Sequence, residues 1–525
     1  MSKLPLALII LDGFGIASPA SSNAVTLAKM PYSDRLVRHF PTFALQASGE
    51  AVGLRWGEIG NSEAGHLNIG TGRIVWQSYS RINRAIADGT FFTNKKLLEA
   101  LTYAKEQGGS VHILGLLSQG GIHADIQHLA AVAEAATKHN CEKIYLHLFL
   151  DGRDGPFQGA LSLVEQLTEQ LKETKVKIAT ATGRFYGMDR DKHWDRTKTA
   201  YEAIVLGQAE NKTKDLKTTL RDYYKEGGDD EHFPATILVD KAGQAIGPVQ
   251  DNDVFIMANF RADRARQLAW ALQTEKDFSN FSRPKFSGQK LFTMVDYDKD
   301  LPQAGVFMET EEIKNSVAEI ISKAGLRQLH IAETEKYAHI TYFFNGGQEE
   351  PFSGETHELV PSQRVASFAE VPAMSAREIT AKVLTHIENN EFDFYVINFA
   401  NPDIVGHTGD LKATVKALEI TDECLRQIGE AILAKGGQFM VTADHGNCEG
   451  LLNLQTGEKE KEHSTAPVWF VLVGEMWEDK MQARLAGLKD LIKLSPSGFL
   501  CDIAPTIIKL LELEKPAEMT GQSLV

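Results

Sequence analysis

Short runs of apolar residues recur along the chain, separated by segments in which apolar residues return at helical spacing. Each run is five to seven residues long, which is typical of a buried strand. The runs that we predict as buried strands are 6–11, 111–117, 144–150, 176–180, 254–258, 394–399, 438–442 and 468–473. Helical periodicity marks 125–139, 375–390 and 414–436 between them. This alternation predicts an α/β chain with mostly parallel sheets.

The first apolar run, LALIIL at 6–11, follows Lys3 and is just long enough for the core of a signal peptide. Pro5 and the immediate Asp12-Gly13 turn favour a buried first strand instead. No run approaches the ~20 residues that a membrane-spanning helix requires. The four cysteines lie far apart without a CxxC pair, which is typical of reduced thiols. We therefore expect a cytoplasmic protein with no membrane partner.

The size and charge of the chain limit its class. At 525 residues it exceeds the length at which a single core keeps growing, so we expect two or more domains. Its formal charge of -15 argues against nucleic acid as a partner and against anionic membranes. Neither GxxxxGK[ST] nor a strand-linked GxGxxG occurs, so nucleotide binding is the least favoured class. Any anionic ligand must be held by a local basic cluster.

Polar residues that follow the predicted strands are the candidates for chemistry, because ligands of such sheets sit outside the carboxyl ends of the strands. The outer thirds of the chain supply oxygen and imidazole groups there, namely Asp12, Ser62, Asp403, His407, Asp444, His445 and His463. A common site would require the N-terminal segment to share a core with the C-terminal third. The middle is then an inserted domain, with edges near Trp76 and near the loop at 296–307.

Each of these candidates also has an ordinary structural interpretation as a turn or surface residue. Asp403 and His407 lie four apart, and Pro402 and Gly406 favour a short turn there over a long helix. Taken together, three Asp, three His and one Ser are enough ligands for two divalent cations. Without a thiolate, the set suits Mn²⁺ or Mg²⁺, with Zn²⁺ as an alternative.

The stretch IGNSEAGHLNIGTG at 59–72 gives Ser62 two interpretations, helix N-cap or nucleophile. Serine is a preferred N-cap, and the following Glu63 suits the positive end of a helix. Two adjacent cations would convert the hydroxyl into an alkoxide near neutral pH, and a helix N-terminus would favour a phosphate on it. We expect Ser62 to fill both roles.

Arginine is concentrated in three motifs of the middle part, at 151–155, 183–196 and 259–266. A solvated, salt-bridged face is one interpretation of these motifs, and the interleaved Asp residues argue against a nucleic-acid patch. The other is a site for phosphate and carboxylate, because Arg261 and Arg264 would share a face at a strand-to-helix junction. Asp154 is then either a counter-ion or a general base. Spacing alone predicts Lys336 at the surface.

Ten motifs, in this order over essentially the whole chain, resemble those of the cofactor-independent phosphoglycerate mutases. They are LDGFG, GNSEAGHLNIGTGR, GGIHAD, DGRD, GRFYGMDRD, NFRADRAR, TEKYAH, NPDIVGHTG, TADHGN and a His-Ser-Thr segment. That family belongs to the wider alkaline-phosphatase-like group of metal-dependent phosphoryl-transfer enzymes. The segment HSTAPV at 463–468 departs from the family pattern without removing a candidate ligand.

The resemblance implies a two-domain α/β protein. Residues 1–76 and 312–525 would form a discontinuous alkaline-phosphatase-like parallel-sheet domain that binds metal, and 77–311 an inserted α/β transferase domain that binds substrate. One Mn²⁺ would be held by Asp403, His407 and His463, and a second by Asp12, Ser62, Asp444 and His445, with Mg²⁺, Co²⁺ or Zn²⁺ as alternatives. The substrate-contacting positions would be His123, Arg153, Asp154, Arg184, Arg190, Arg261, Arg264 and Lys336.

The implied activity is interconversion of 3-phosphoglycerate and 2-phosphoglycerate in glycolysis and gluconeogenesis, without 2,3-bisphosphoglycerate. A phosphoserine at Ser62 would be the intermediate, with Asp154 moving the substrate proton and Lys336 neutralising charge. The partner would be the small-molecule substrate, and we expect a monomer. Two rivals stay open: a phosphomonoesterase or other phosphomutase would share the metal ligands, and a non-catalytic metal-binding protein would tolerate loss of the Ser62 hydroxyl.

Overall fold

The computed structural model describes residues 4–273, 276–309, 312–453, 455–480 and 484–525. They form two compact units, one from Met1–Gln77 with Glu312–Val525 and the other from Ser78–Glu311. The first limit lies one residue beyond the predicted edge at 76, and the second coincides with the edge at 312. The functions assigned to the two parts stay predictions.

The first unit is built on an eight-stranded sheet. In spatial order its strands are Glu355–Val360, Gln328–Glu333, Phe394–Phe399, Leu6–Leu11, Gln438–Thr442, Val468–Val473, Thr42–Gln46 and Pro496–Phe499. Val468–Val473 runs antiparallel to both of its neighbours, and the remaining pairs are parallel. Leu6–Leu11 is buried along its whole length, which confirms the prediction of a buried first strand.

The register of this sheet decides where the polar residues go. Leu11 is level with Phe399, and Ile10 is level with Thr442 on the other side. Because the three strands are parallel, the segments that follow them leave the sheet at one edge. Asp12 and the loops after Phe399 and Thr442 therefore start beside one another.

Helices of the first unit pack against its sheet and share a large apolar core with it. Val405 and Ala417 belong to a separate, smaller apolar cluster. Its α-helices are Ala24–Leu27, Pro31–His39, Ser62–Thr71, Val317–Lys323, Ala376–Glu388, Asn401–Gly406, Leu411–Ala434 and Ile503–Leu510. A π-helix spans His339–Phe343, between the strands Gln328–Glu333 and Glu355–Val360. Within the described parts of the chain, no helix has both the length and the apolar content needed to cross a membrane.

The second unit has its own eight-stranded sheet. In spatial order its strands are Gly305–Val306, Lys290–Thr293, Val254–Met257, Val111–Leu117, Ile144–Leu150, Val176–Gly183, Thr236–Leu238 and Asn211–Thr213. Thr236–Leu238 and Asn211–Thr213 run opposite to the others. Its α-helices are Ser78–Asp88, Lys95–Gln107, Ile126–Lys138, Ala160–Gln170, Arg184–Gly187, Trp194–Tyr201, Leu216–Lys225 and Arg266–Leu272.

Two large apolar clusters bury the second sheet, one on each face, and a third, small cluster includes Ile237 of Thr236–Leu238. Neighbouring residues Ile113 and Leu114 belong to different clusters, as the alternation of side chains along a strand requires. The prediction of an α/β chain with mostly parallel sheets is confirmed.

Some strands escaped the sequence analysis because they carry buried polar side chains. Gln328–Glu333 is buried throughout, yet half of its residues are polar. Gln328 donates to the Ala318 carbonyl at 2.7 Å, and His330 Nδ1 donates to the Ile340 carbonyl at 2.7 Å. Such internal hydrogen bonds permit burial without the apolar run on which the prediction depended.

Glu333 ends its strand as a fully buried carboxyl group, and burial raises its pKa to about 7. The folded pKa lies above the unfolded value near 4.5, so the folded state holds the proton more tightly. The resulting stability is present at acidic pH and is lost as the pH rises through about 7. We therefore expect the free energy of unfolding of Glu333→Gln, relative to that of the wild type, to rise by roughly 2–3 kcal/mol between pH 5 and pH 8. Urea unfolding at several pH values measures this difference.

Glu350, an exposed glutamate of the same unit that does not contribute to the raised pKa of Glu333, provides the control for this experiment. Glu350→Gln should keep the pH dependence of the wild type. Parallel stability curves for Glu333→Gln and the wild type would contradict the expected role of Glu333.

Candidate functional site

Ser62 is the first residue of the helix Ser62–Thr71, and Asn61 is its N-cap. Asn61 Oδ1 accepts a hydrogen bond from the backbone N–H of Ala64 at 2.8 Å. The prediction that Ser62 itself caps the helix is therefore wrong, because the preceding Asn fills that position. Gly65 lets the helix lie close to the segment that follows the strand Gln438–Thr442, since a Cβ at position 65 would lie 2.6 Å from the Asp444 carbonyl oxygen.

The Ser62 hydroxyl lies in a buried polar cluster. Its Oγ is 2.8 Å from His445 Nε2, 2.7 Å from Lys336 Nζ and 3.4 Å from Asp12 Oδ1. Lys336 also donates to Asp12 Oδ1 and to Asp403 Oδ2, at 2.7 Å each. Its side chain is 4% exposed, so the prediction from spacing that Lys336 lies at the surface is wrong.

Asp403, His407 and His463 converge on one point. His407 Nδ1 lies 2.6 Å from the Lys461 carbonyl oxygen, and His463 Nδ1 lies 2.9 Å from that of Gly60. A carbonyl can only accept, so Nδ1 of each ring carries a hydrogen and each neutral ring presents a bare Nε2. These Nε2 atoms are 3.0 Å apart, and each is 3.3 Å from Asp403 Oδ1. Ligands at ~2.0–2.1 Å around a tetrahedral ion have such separations.

Asp12, Asp444, His445 and Ser62 form a second group of converging atoms. His445 Nε2 is 3.4 Å from Asp12 Oδ1 and 3.4 Å from Asp444 Oδ2. Asp444 Oδ1 accepts from the Gly13 backbone N–H at 3.2 Å, whereas Oδ2 lies 3.2 Å from His66 Nδ1 and has no well-aligned hydrogen bond among the described residues. A buried carboxylate oxygen without a well-aligned donor fits a metal ligand.

The charges of this cluster do not balance. Asp12, Asp403 and Asp444 are buried together, and the contacts of the described residues set one ammonium group, that of Lys336, against them. Burial opposes protonation of His445, but Asp444 and Asp12 outweigh it and raise its pKa to about 9. The cluster thus attracts more positive charge than Lys336 supplies. Its oxygen and imidazole donors fit divalent cations.

The side chains that orient these carboxylates are not among the residues predicted from the sequence. Asn398 Nδ2 donates to Asp12 Oδ2 at 2.9 Å and to His66 Nε2 at 3.0 Å, and Asn447 Nδ2 donates to Asp403 Oδ1 at 2.8 Å. His66 lies one helical turn after the serine of its motif, so helical spacing could have found it. Asn398 lies inside a buried strand, where no sequence signal marks it.

The arginine motifs of the second unit meet around Arg184, which is 2% exposed. Its Nη1 lies 2.5 Å from Asp151 Oδ1 and 2.8 Å from Asp154 Oδ2. His123 Nε2 lies 4.0 Å from the same Asp154 oxygen. Burial and the Arg184 charge lower the pKa of His123 to about 4, so this imidazole is neutral at pH 7. The predicted residues Asp154, Arg184 and His123 therefore share one site.

The Asp263 carboxylate lies close to several of the predicted substrate-contacting residues. Its carboxylate lies 2.8 Å from Arg190 Nη1, 3.3 Å from Arg261 Nε and 3.4 Å from His123 Nδ1. Burial opposes ionisation of Asp263, but the pKa of its carboxyl is lowered because the guanidinium groups of Arg261 and Arg190 face it. A carboxylate is thus already bound where a substrate carboxylate or phosphate is predicted to bind. Asp263 is not among the residues predicted from the sequence.

Positive charge is crowded around this site. Burial and the guanidinium groups of Arg190, Arg184 and Arg153 lower the pKa of Arg264. Arg264 Nη1 itself lies 3.4 Å from the Met188 carbonyl oxygen, while Arg153 pairs with Glu231 at 2.8 Å. Neighbouring guanidinium groups of this kind favour binding of an anion.

The sequence of the chain is similar to those of known proteins. The family model of the BPG-independent PGAM N-terminus (iPGM_N) matches residues 82–299. The 2,3-bisphosphoglycerate-independent phosphoglycerate mutase 1 of Methanosarcina barkeri is 45% identical over 527 residues, covering 100% of this chain and 98% of that protein. The corresponding enzyme of Clostridium beijerinckii is 45% identical and covers 100% of this chain and 99% of its own.

The fold is similar to a solved structure over nearly the whole chain. The crystal structure of Leishmania mexicana phosphoglycerate mutase, determined at low cobalt concentration, matches with a TM-score of 0.58 and a sequence identity of 30%. The match covers 99% of this chain and 97% of that chain. Fold and sequence together define an α/β enzyme of the isomerase class. The chain belongs to the 2,3-bisphosphoglycerate-independent phosphoglycerate mutase family. The resemblance seen in the ten motifs is confirmed.

Added Mn²⁺ should stabilise protein that has been stripped with a chelator. A ligand that binds only the folded state at 100 times its Kd adds about 2.7 kcal/mol to the free energy of unfolding. His463→Ala should lose most of the resulting rise in Tm, because it removes one of the three converging donors. Differential scanning calorimetry with and without Mn²⁺ measures both effects.

His39, an exposed histidine of the same unit, is the matched control. His39→Ala should keep the full rise in Tm. A Tm of the wild type that does not respond to Mn²⁺, Mg²⁺, Co²⁺ or Zn²⁺ would refute the metal assignment.

Proposed function

We propose that this protein interconverts 3-phosphoglycerate and 2-phosphoglycerate in glycolysis and gluconeogenesis, through a phosphoserine at Ser62 and without 2,3-bisphosphoglycerate. The observation that carries the proposal is the buried Ser62 hydroxyl, held 2.7 Å from the Lys336 ammonium at the start of a helix. Relatives with that name are 45% identical to the whole chain. We further expect a monomer located in the cytoplasm.

Ser62 has the surroundings of a nucleophile. Lys336 donates to its Oγ, and an adjacent ammonium lowers the cost of removing the hydroxyl proton. A phosphoryl group on Oγ would lie at the N-terminus of Ser62–Thr71, where free backbone N–H groups and the helix dipole favour an anion. Lys336 would neutralise part of the charge that develops during transfer.

We infer that two Mn²⁺ ions complete the site, with Mg²⁺, Co²⁺ or Zn²⁺ as alternatives. Asp403, His407 and His463 would hold one ion, and Asp12, Ser62, Asp444 and His445 the other. Bound there, the cations would supply positive charge that favours ionisation of the serine hydroxyl and offsets the negative charge of the phosphoryl oxygens. The choice of metal is supported by the donor chemistry and by the cobalt present with the Leishmania mexicana enzyme.

The second unit would hold glycerate between the two transfers. His123, Arg153, Arg184, Arg190, Arg261 and Arg264 would bind its carboxylate and hydroxyl groups. Asp154, paired with Arg184, would carry the proton of the hydroxyl that is phosphorylated again. A phosphomonoesterase needs only the metal cluster, so the arginine cluster favours a mutase.

A ³¹P NMR experiment separates the mutase from its rival. Metal-loaded protein should convert 3-phosphoglycerate into 2-phosphoglycerate with no added bisphosphoglycerate. Release of free phosphate faster than isomerisation would identify a phosphomonoesterase instead.

Ser62→Ala should abolish isomerisation while the protein still folds and binds metal through the remaining donors. Ser316, whose Oγ accepts from the Glu319 N–H at 3.3 Å, caps another helix of the same unit. Ser316→Ala should keep its activity and lose about 1 kcal/mol of stability, as the loss of a cap does. Activity and Tm of both variants test the assignment, which fails if Ser62→Ala turns over normally.

Arg261→Ala should raise KM for 3-phosphoglycerate on the order of tenfold or more, because a charge-assisted contact to the substrate is lost. Arg266 lies in the same motif but donates to the Tyr297 carbonyl at 2.8 Å and pairs weakly with Asp298. Arg266→Ala is the control and should leave KM unchanged. Equal steady-state kinetics of the two variants would remove Arg261 from the substrate site.

A further inference from the structure

Glu449 is a buried carboxyl group that the proposed mechanism does not use. It is 4% exposed, lies four residues after His445 and has no Lys or Arg partner among the described residues. Its Oε2 accepts from the backbone N–H groups of Gly15 at 3.1 Å and Asn447 at 2.9 Å, and its Oε1 accepts from the Ser464 hydroxyl. Three hydrogen bonds from three positions thus end on one side chain.

Each of the three donors lies within three residues of a proposed metal ligand along the chain. The Gly15 N–H lies three residues after Asp12. Asn447 donates its side-chain amide to Asp403 Oδ1 at 2.8 Å. Ser464 directly follows His463, and its backbone N–H donates to the Gly446 carbonyl at 2.9 Å. Glu449 therefore connects segments that serve both groups of converging atoms.

The space around the carboxyl is closed. A Cβ at Gly15 or at Gly446 would overlap the Glu449 carboxylate, so both loops approach it as only glycine permits. Two oxygens are needed, because two backbone N–H groups point at one and a hydroxyl at the other. An aliphatic side chain would leave these donors buried without an acceptor, which costs about 1–3 kcal/mol for each.

We propose that Glu449 is a positioning residue that holds the loops of Asp12, Asn447 and His463 at the separations that metal binding requires. The inference rests on the metal ligands of the proposed function. It differs from them in that Glu449 contacts no ligand atom: it acts through the donors that carry the ligand segments.

The test measures Mn²⁺ affinity by isothermal titration calorimetry on the full chain after chelator treatment. Glu449→Ala should bind Mn²⁺ 10–100-fold more weakly, as is typical when the support of a ligand is removed. Glu449→Gln should stay within about threefold of the wild type, because its amide oxygen accepts both N–H groups and its NH₂ donates to Ser464. Rescue by Gln is the signature of positioning by hydrogen bonds.

Asp422 is a matched control for general loss of stability. It is also buried and accepts from the backbone N–H groups of Tyr32 at 3.0 Å and Ser33 at 2.8 Å, and from the Ser33 hydroxyl at 2.5 Å. These bonds join the helices Pro31–His39 and Leu411–Ala434 and reach no candidate ligand. Asp422→Ala should lower Tm as Glu449→Ala does but leave Mn²⁺ affinity at the level of the wild type.

Three outcomes would overturn the inference: normal affinity in Glu449→Ala, equal weakening in Asp422→Ala, or a Gln variant as weak as the Ala variant. If Glu449→Ala does not fold, Glu449→Asp takes its place, since the shorter side chain cannot reach all three donors. A wild-type protein that binds no Mn²⁺ would overturn the metal site and this inference together. Normal wild-type binding with normal binding by Glu449→Ala would overturn this inference alone.

Discussion

The first unit depends on three carboxylates buried against a single ammonium group. Asp12, Asp403 and Asp444 each lose their hydration, and burying such ions costs several kcal/mol apiece unless charge and hydrogen bonds compensate. Lys336 bonds to two of them at 2.7 Å. The excess negative charge raises the pKa of His445 to about 9 even though burial opposes it. The excess negative charge favours the entry of further cationic charge, and the converging carboxylate oxygens and imidazole nitrogens are donors that suit a divalent cation.

Sheet topology brings these groups together from distant parts of the chain. Parallel pairing of Leu6–Leu11 with Phe394–Phe399 and Gln438–Thr442 sends three polar segments out at one edge. His463 precedes its strand instead of following it, yet it reaches the same edge. The reason is that Val468–Val473 runs antiparallel to Gln438–Thr442, so the start of one strand lies beside the end of the other. One reversed strand thus completes the set of donors.

The fold was predictable where burial requires apolar runs, and the site was predictable where polar residues follow those runs. Gln328–Glu333 was not, because its polar side chains are satisfied by internal hydrogen bonds. The position of Lys336 was not either, since the carboxylates that hold it lie 324 and 67 residues away in sequence. The prediction that Ser62 caps its helix failed for a local reason. Two good capping residues are adjacent in the sequence, and in the structure Asn61 occupies the N-cap position. Spacing names candidates, whereas tertiary contacts decide which of them are buried together.

The second unit has the opposite charge distribution, because guanidinium groups are concentrated in its candidate site. Its guanidinium groups are held by built-in carboxylates, with Asp151 and Asp154 on Arg184 and Asp263 between Arg190 and Arg261. Without these carboxylates, several positive charges would repel one another; burial and the charges of Arg190, Arg184 and Arg153 already lower the pKa of Arg264. A chain with a net charge of -15 repels anions at long range, so an anionic substrate must be recognised by close, directional contacts. In the proposed function, rigid guanidinium forks already oriented by carboxylates would supply such contacts with little further loss of side-chain entropy.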